Sequence, residues 1–487
     1  MFTLHWHTFF RGLDLADEGY LWHGALEVLK GKVPIRDFRA YDLGRYYWCA
    51  FWMRLLGSRN RSIRIGMMVI QVGGVWLASV LIYTATHSWL ATMLWAFAIT
   101  SCIHPWYRSI ESTFSIAGVA MAAMLVNSPM PAQAMAIGFL TALSLLAGLN
   151  LAIYNAGGAF IAICFAPSSS TTSAAVVLYA YLTGVAVGVA GLLLLFWAIP
   201  GLLHAYWQKK ILTVLRRRST NLALPVPWLW RKTSEDRFIK TCFTALPFFY
   251  AGSLVWLLLN RHTPSAGNTV FIAAVCVGVF YMHHALSRAD SVHLFVAIPP
   301  CLIALAPLLF RDWLGWIVGV AIAGAVFRYV YARNDLFLAY WRNPEGFCRY
   351  GVDGDLLWVP ITLATDLNAM RQVVDAHTAQ REPALFVPVL VTLYPLFVRR
   401  PAAYDLFCVH AASRAAQEEM IASVKQQDVR LALVWNGPLD GRDDRRFSST
   451  HPLVWNHLQV GFQSVPLLTP NRDLHCFLKK CDQDSGS

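Results

Sequence analysis

The sequence predicts a polytopic α-helical membrane protein with a small C-terminal α/β domain. Of the 487 residues, 56% are hydrophobic and only 14% are charged, whereas soluble proteins carry about 25% charged residues. The first 330 residues contain successive apolar runs, each long enough to cross a bilayer as a helix of roughly 17 to 25 residues. Helices are expected there because the bilayer leaves backbone polar groups no other partners in such runs.

Ten apolar runs are interpreted as spanning helices, and a shorter run at 46–57 is expected to be another, which gives about 10–11 spans. The ten runs lie at 65–86, 89–105, 109–127, 132–148, 151–166, 174–199, 241–259, 268–286, 292–310 and 313–331. The predicted organisation is an extramembrane loop at 1–45, a membrane domain at 46–331 with a basic surface connector at 203–240, and an extramembrane domain at 332–487.

The tail alternates strand and helix signals. ALFVPVLVTLYPLF is apolar and strand-like, SRAAQEEMIASVKQQ has the periodicity of an amphipathic helix, and VRLALVW is a buried-strand run. This order predicts a small α/β unit. No glycine-rich phosphate loop and no nucleotide fingerprint is present.

Acidic residues are unevenly distributed along the membrane half. Six of the 11 carboxylates in the first 330 residues lie between residues 14 and 48. They are Asp14, Asp17, Glu18, Glu27, Asp37 and Asp42. Residues 19–30 have helical spacing that Gly31 ends, which predicts a short amphipathic helix on the membrane surface. The pattern indicates a polar reaction centre beside the bilayer.

Basic residues indicate topology rather than nucleic-acid binding. The first 330 residues carry 24 basic and 11 acidic residues, whereas the tail from 331 carries 16 and 17. Basic loops beside spans meet anionic lipid headgroups, and a nucleic-acid partner is excluded because the tail lacks a basic surface. The link at 54–64, with four arginines, is interpreted as cytoplasmic. The acidic loop is then extracytoplasmic, and the side of the tail stays open because one re-entrant helix would reverse it.

Three groups of residues are candidates for chemistry. Asp17 and Glu18 could accept a proton from an attacking hydroxyl or hold a divalent cation, or they could be helix-start acids that the helix dipole favours. Glu111 is the only acid between residues 42 and 235; it is a functional candidate at a span edge, or an interfacial partner of Arg108.

The third group lies between two spans, in YMHHALSRADSVHL. Its Arg and His side chains suit a lipid phosphate as charge-assisted donors. A metal cluster and a purely topological basic link remain alternatives. The residues are His283, His284, Arg288, Asp290 and His293.

The string DEGYLWHGALEVLKGKVPIRDFRAYDLGRYYW resembles the first extracytoplasmic loop of the GT-C superfamily of glycosyltransferases, which use polyprenyl-phosphate-linked sugars. It is most similar to the bacterial branch related to protein mannosyltransferases and the aminoarabinose transferase of lipid A. SRADSVHL and the tail strings YPLFVRRPAAYDLF, LALVWNGPLDG and HPLVWNHL are also similar to this branch. The family has a spanning helix before the acidic loop, and this chain is expected to lack it.

The resemblance implies a glycosyltransferase in the bacterial inner membrane that moves a sugar from a polyprenyl-phosphate donor to a hydroxyl of a lipid, glycan or protein. It implies that Asp17 is the general base, with Glu18 or Asp42 positioning the acceptor or a divalent ion, Mg²⁺ or Mn²⁺, and with Glu111 as a second acid. The groups expected to neutralise the leaving phosphate are Arg45, Arg108, Arg288 and His293. The alternative is a flippase for a polyprenyl-linked glycolipid, which would distribute its acids within broken helices.

Overall fold

The computed structural model has two compact units, Gly66–Asp335 and a second that joins Phe2–Ile65 to Leu336–Ser487. The structure describes residues 8–103, 109–127, 130–165, 173–217, 222–233, 235–260, 266–332 and 339–480. The second unit therefore combines the acidic loop with the tail, although more than 270 residues of sequence separate them.

The acidic loop contains helix α1, Asp17–Leu29. The helix predicted at 19–30 is thus present, but nine of its 13 residues are buried. Its small residues explain the close packing, because a Cβ atom at Gly19 would lie 2.1 Å from the Thr392 hydroxyl oxygen. The sequence predicts this helix on the membrane surface, whereas the structure encloses it within the second unit.

The run at 46–57 forms helix α2, Gly44–Leu56, within the second unit. Its prediction as a span is wrong, because a 13-residue helix rises only about 20 Å and this one carries Arg45 and Arg54. One stripe of α2 is buried, and the opposite stripe exposes Tyr47, Phe51 and Leu55. Exposed aromatic residues beside arginine are typical of a helix that lies in the membrane interface.

The first unit is a bundle of apolar helices, and each of the ten predicted runs is helical. Within the described residues, six helices are long and apolar enough to cross a membrane, or up to seven if one bent pair is a single span; three shorter apolar helices accompany them. The helices are α3 (Asn60–Thr86), α4 (Trp89–Ile103), α5 (Ser109–Asn127), α6 (Pro131–Leu143), α7 (Leu149–Phe165), α8 (Ala174–Ala198), α9 (Leu202–Tyr206), α10 (Leu212–Arg217), α11 (Arg237–Leu259), α12 (Ala266–Ser287), α13 (Ser291–Ala297), α14 (Pro299–Leu309) and α15 (Trp313–Ala332).

Glycine permits the closest helix pair of the bundle, α6 with α8. A Cβ atom at Gly184 would lie 1.9 Å from the Met135 carbonyl oxygen, and one at Gly138 would lie 2.1 Å from that of Tyr181. Small residues let backbones approach where apolar surface gives no advantage over lipid. Replacement of Gly184 or Gly138 by a residue with a Cβ atom would force the two helices apart.

Two features interrupt the bundle. Helices α13 and α14 are bent by 56°, because Pro299 and Pro300 begin α14 and neither residue has a backbone N–H to continue the preceding helix. The predicted connector at 203–240 contains α9, a π-helical turn at Trp207–Ile211 and α10, and residues 222–233 have no regular structure.

The tail is an α/β domain, as predicted. A hairpin, β1 (Phe347–Val352) with β2 (Asp355–Pro360), precedes a five-stranded sheet. The further elements are α16 (Ala339–Arg342), α17 (Ile361–His377), β3 (Pro383–Val387), α18 (Leu393–Phe397), β4 (Arg400–Pro401), α19 (Arg414–Gln426), β5 (Leu431–Trp435), α20 (Phe447–Thr450), α21 (Pro452–Gly461), β6 (Phe462–Val465) and β7 (Leu474–Lys479). The order of the strands in the sheet is β4-β3-β5-β7-β6. Strand β3 pairs in parallel with β4 and β5, whereas β7 is antiparallel to β5 and β6.

Backbone hydrogen bonds join the acidic loop to the tail. The Thr392 N–H donates to the Leu15 carbonyl (3.0 Å), and the Arg39 N–H donates to the Tyr404 carbonyl (3.1 Å). These bonds hold the two segments of the second unit together.

We expect α2 to contact lipid in the membrane. A photo-crosslinking benzoylphenylalanine at Phe51 should label an alkyne-tagged phospholipid, because this exposed side chain lies on the apolar stripe. The matched control is the same group at Leu468, which is 85% exposed on the tail and should give no lipid adduct. Equal labelling at the two positions would contradict an interfacial α2.

We also expect acid to destabilise the second unit through His23. Burial lowers the pKa of His23 to about 4, so the unfolded chain, with a His pKa of about 6.5, binds the proton first. The stability that the neutral side chain contributes is complete above about pH 6.5, is lost as pH falls through 4, and amounts to at most about 3 kcal/mol.

The thermal unfolding midpoint in detergent at pH 7 and pH 5 measures this effect. His23→Leu should reduce the difference between the two midpoints, because leucine takes up no proton. The His23 ring lies 5.5 Å from that of Tyr394. His377→Leu, at an exposed position, should leave the difference unchanged. A His23→Leu protein with wild-type acid sensitivity would show that another group is responsible.

Candidate active site in the acidic loop

The start of α1 orients the two adjacent carboxylates differently. The Asp14 carboxylate accepts hydrogen bonds from the N–H groups of Ala16 (2.9 Å) and Glu18 (3.2 Å), and the Asp14 N–H donates to Glu18 Oε2 (3.1 Å). These reciprocal bonds resemble a capping box with one more residue in it. Glu18 is fully buried, whereas Asp17 is half-buried.

Glu18 forms a buried ion pair with Arg64 of α3. Arg64 Nε donates to Glu18 Oε1 (2.7 Å) and Nη2 donates to Oε2 (3.1 Å), and both side chains are at most 1% exposed. Removal of one partner of such a pair typically costs about 3–5 kcal/mol, because it leaves a buried charge uncompensated. Glu18 is therefore held on both oxygens by protein groups.

Arg64 also fixes the chain that leads into α1. Its Nη2 donates to the Gly12 carbonyl (2.8 Å), and its Nη1 donates to the Phe9 carbonyl. The interpretation of 54–64 as a cytoplasmic link, one span away from the acidic loop, is therefore wrong: Arg64 bonds directly to that loop. No local sequence pattern indicates this partnership, since 46 residues separate the pair.

Asp17, Asp42 and Arg45 come together around Tyr41. The Tyr41 hydroxyl donates to Asp17 Oδ1 (3.1 Å), and the Arg45 guanidinium lies over the Tyr41 ring, 5.3 Å from its centroid. Arg45 Nη2 is 3.8 Å from Asp42 Oδ2, and both residues are buried. Sequence reasoning selected the three charged residues and missed Tyr41, which links Asp17 to Arg45.

Residues of the tail contact this cluster. Arg39 forms an ion pair with Asp405 and donates to the Phe407 carbonyl (3.1 Å). Burial alone would lower the pKa of Arg39, but the Asp405 carboxylate raises it above its usual value, so Arg39 stays charged. The Phe407 ring lies 6.1 Å from that of Tyr41. The tail therefore packs directly against the residue that contacts Asp17.

The remaining candidates lie in the first unit. Glu111 is in the first turn of α5, half-buried, and interacts electrostatically with Tyr281. Asp290 caps α13, accepts from Arg288 Nε (2.8 Å) and lies 2.8 Å from His293 Nδ1. A carboxylate thus orients both predicted phosphate ligands. Arg108 lies outside the described residues.

The predicted pair of metal ligands, Asp17 and Glu18, does not fit a divalent ion. Both Glu18 oxygens accept from Arg64, whose positive charge would repel a cation bound beside it. In the described part of the chain, no group of three or more His, Cys, Asp or Glu side chains is placed to hold a metal. We derive no step through a metal ion.

Solved structures show which fold this is. The sequence matches no protein-family model and no curated protein. The structure is similar to that of ArnT from Cupriavidus metallidurans in the apo state, with a TM-score of 0.53 and 11% sequence identity over 98% of this chain and 95% of that one.

Two structures of the oligosaccharyltransferase from Archaeoglobus fulgidus also match, both with lower scores. The complex of AglB with an inhibitory peptide and a dolichol-phosphate has a TM-score of 0.47 and 11% identity over 98% of this chain and 72% of that one. The enzyme tethered to an acceptor peptide with the NVT sequon has a TM-score of 0.43 and 12% identity, over 97% and 70%. The similarity to ArnT alone confirms, at the level of the fold, the resemblance that the acidic loop indicated: the chain is a multi-pass integral membrane protein with the GT-C fold.

Proposed function

We propose that the protein is a membrane glycosyltransferase that moves a sugar from a polyprenyl-phosphate donor to an acceptor hydroxyl. One observation carries this proposal: a half-buried carboxylate, Asp17, receives a hydrogen bond from Tyr41 beside a buried arginine, Arg45, in a loop fixed on two sides by ion pairs. The GT-C fold, shared with ArnT, supports it. A lipid-linked donor also agrees with a sequence that has no nucleotide-binding loop.

Asp17 is the proposed general base. It accepts the proton of the acceptor hydroxyl while that oxygen forms a bond to the anomeric carbon, and the bond from this carbon to the phosphate oxygen breaks. The electron pair of that bond leaves with the polyprenyl phosphate, and the anomeric configuration inverts. Tyr41 orients the Asp17 carboxylate through its hydrogen bond to Oδ1. Glu18, which Arg64 holds on both oxygens, takes no part in proton transfer.

The leaving phosphate needs positive groups placed before the reaction. Arg288 and His293 are both oriented by Asp290 at one end of the bundle. Arg45 of the acidic loop, Arg108 and the second acid, Glu111, remain predictions.

The proposed setting follows from these partners. The donor reaches its site from the lipid phase, the acceptor is a lipid, glycan or protein hydroxyl, and the reaction lies at the extracytoplasmic face of a bacterial inner membrane. The charged residues of the first 330 are mostly basic and suit anionic headgroups, whereas the membrane side and the bacterial inner membrane come from the resemblance of the acidic loop and stay predictions.

We expect Asp17→Asn to abolish transfer. The amide has the shape of the carboxylate but does not accept the proton, so kcat should fall about 10²–10⁴-fold, the usual contribution of a general base. The assay uses purified protein in liposomes with defined polyprenyl-phosphate sugars, with and without EDTA to test the predicted divalent ion. The matched control is Asp37→Asn in the same loop, where Asp37 pairs with Arg36, and it should transfer at the wild-type rate.

Unchanged transfer by Asp17→Asn would refute the base assignment. If no donor supports transfer while the wild-type protein moves the labelled lipid across liposomes, the protein is a flippase and the proposal fails.

We expect Arg288→Gln to weaken donor binding. Loss of one charge-assisted hydrogen bond, about 1.5–3 kcal/mol, should raise KM for the donor roughly 10- to 100-fold and leave KM for the acceptor unchanged. Arg311→Gln is the control, since Arg311 is exposed just beyond α14. Equal donor KM values for the two variants would exclude Arg288 as a phosphate ligand.

A further inference from the structure

We propose that Arg64 is the positioning residue for the base, acting through Glu18. This inference rests on the proposed function, because it assigns Arg64 a role in the reaction of Asp17. Successive residues of a helix point about 100° apart, so a fixed Glu18 determines the direction in which Asp17 leaves the same turn.

The ion pair constrains this turn on three sides. Arg64 holds the Glu18 carboxylate with two donors and the carbonyls of Phe9 and Gly12 with two others. The guanidinium is planar and its donors form a rigid fork, so the carboxylate and both carbonyls are held in a defined arrangement around it. Gly19, the next residue, is pressed against Thr392. The first turn of α1 therefore has little freedom to rotate.

Burial explains why Glu18 positions the first turn of α1 and takes no part in proton transfer. Its side chain is 0% exposed and that of Arg64 is 1% exposed, so neither touches solvent or a substrate. A buried pair of this kind contributes little net stability compared with apolar residues of similar volume. What it contributes is one defined orientation of the Glu18 side chain, which Arg64 holds on both oxygens.

The pair also sets the electrostatic surroundings of the base. Glu18 is the chain neighbour of Asp17, and two adjacent carboxylates without a cation raise the pKa of one of them. Arg64 compensates the Glu18 charge beside the base. Removal of Arg64 should therefore change both the geometry and the pH dependence of the reaction.

Four variants of the full-length protein test the proposal in the liposome assay. Arg64→Gln should lower kcat about 100-fold, the usual result of a displacement of about 1 Å at a reacting group, with KM for the donor nearly unchanged. Its kcat–pH profile should have its acid limb at higher pH. Arg64→Lys keeps the charge and should recover part of kcat and the wild-type limb.

The third variant combines Arg64→Gln with Glu18→Gln. It should return the acid limb to its wild-type position, because no buried carboxylate remains beside Asp17, while kcat stays low. Arg61→Gln is the matched control on the same helix, where Arg61 is 43% exposed and lies 3.5 Å from Asp355, and it should behave as wild type.

A second readout is independent of activity. Hydrogen exchange should become faster at residues 14–29 in Arg64→Gln than in wild type, and not in Arg61→Gln. Wild-type kcat and pH profile in Arg64→Gln would overturn the proposal, as would an equal loss of kcat in Arg61→Gln. If Arg64→Gln does not fold, an Arg64→Lys protein with the wild-type kcat and unchanged exchange overturns it. If Asp17→Asn keeps full transfer while exchange at 14–29 responds to Arg64, the proposed function fails and the positional role of Arg64 stands.

Discussion

A carboxylate without solvent needs a cation, and this requirement shapes the second unit. Glu18 begins a helix whose first turn is favourable for acids, yet the position is fully buried, so its charge depends on Arg64. The same arginine holds the two carbonyls that precede the helix. The place of α1, the direction of Asp17 and the start of the first span are thereby fixed by one guanidinium.

A second ion pair completes the support. Arg39 and Asp405 join the acidic loop to the segment after β4, and the ring of Phe407 packs against Tyr20. The α/β domain therefore has a structural role, contact with the acidic loop, that its fold alone does not indicate. Its sequence contains no glycine-rich phosphate loop. Fold does not determine function, and here the segment after β4 packs against a candidate site that is built from other residues.

The sequence predicted much of this architecture because its strongest signals are local. Each of the ten apolar runs corresponds to helix in the described residues, and strand and helix periodicity located β3, α19 and β5. The concentration of acids selected Asp17, Asp42 and Arg45. What it missed is long-range: Arg64 was interpreted by the charge of its own loop, and its partner lies 46 residues away. The span expected at 46–57 failed for a local reason, since hydrophobicity does not separate a helix in the bilayer from one at its surface.

The shared unit has a consequence for biosynthesis. A chain is made from its N-terminus, yet the acidic loop receives Thr392, Tyr404 and Asp405 as partners only after every span has been inserted. The loop that bears Asp17 therefore reaches its final conformation only after the tail has been synthesised, because 378 positions separate Asp14 from its partner Thr392. Long-range pairing of this kind is slow, and it ties the formation of the candidate site to the synthesis of the tail.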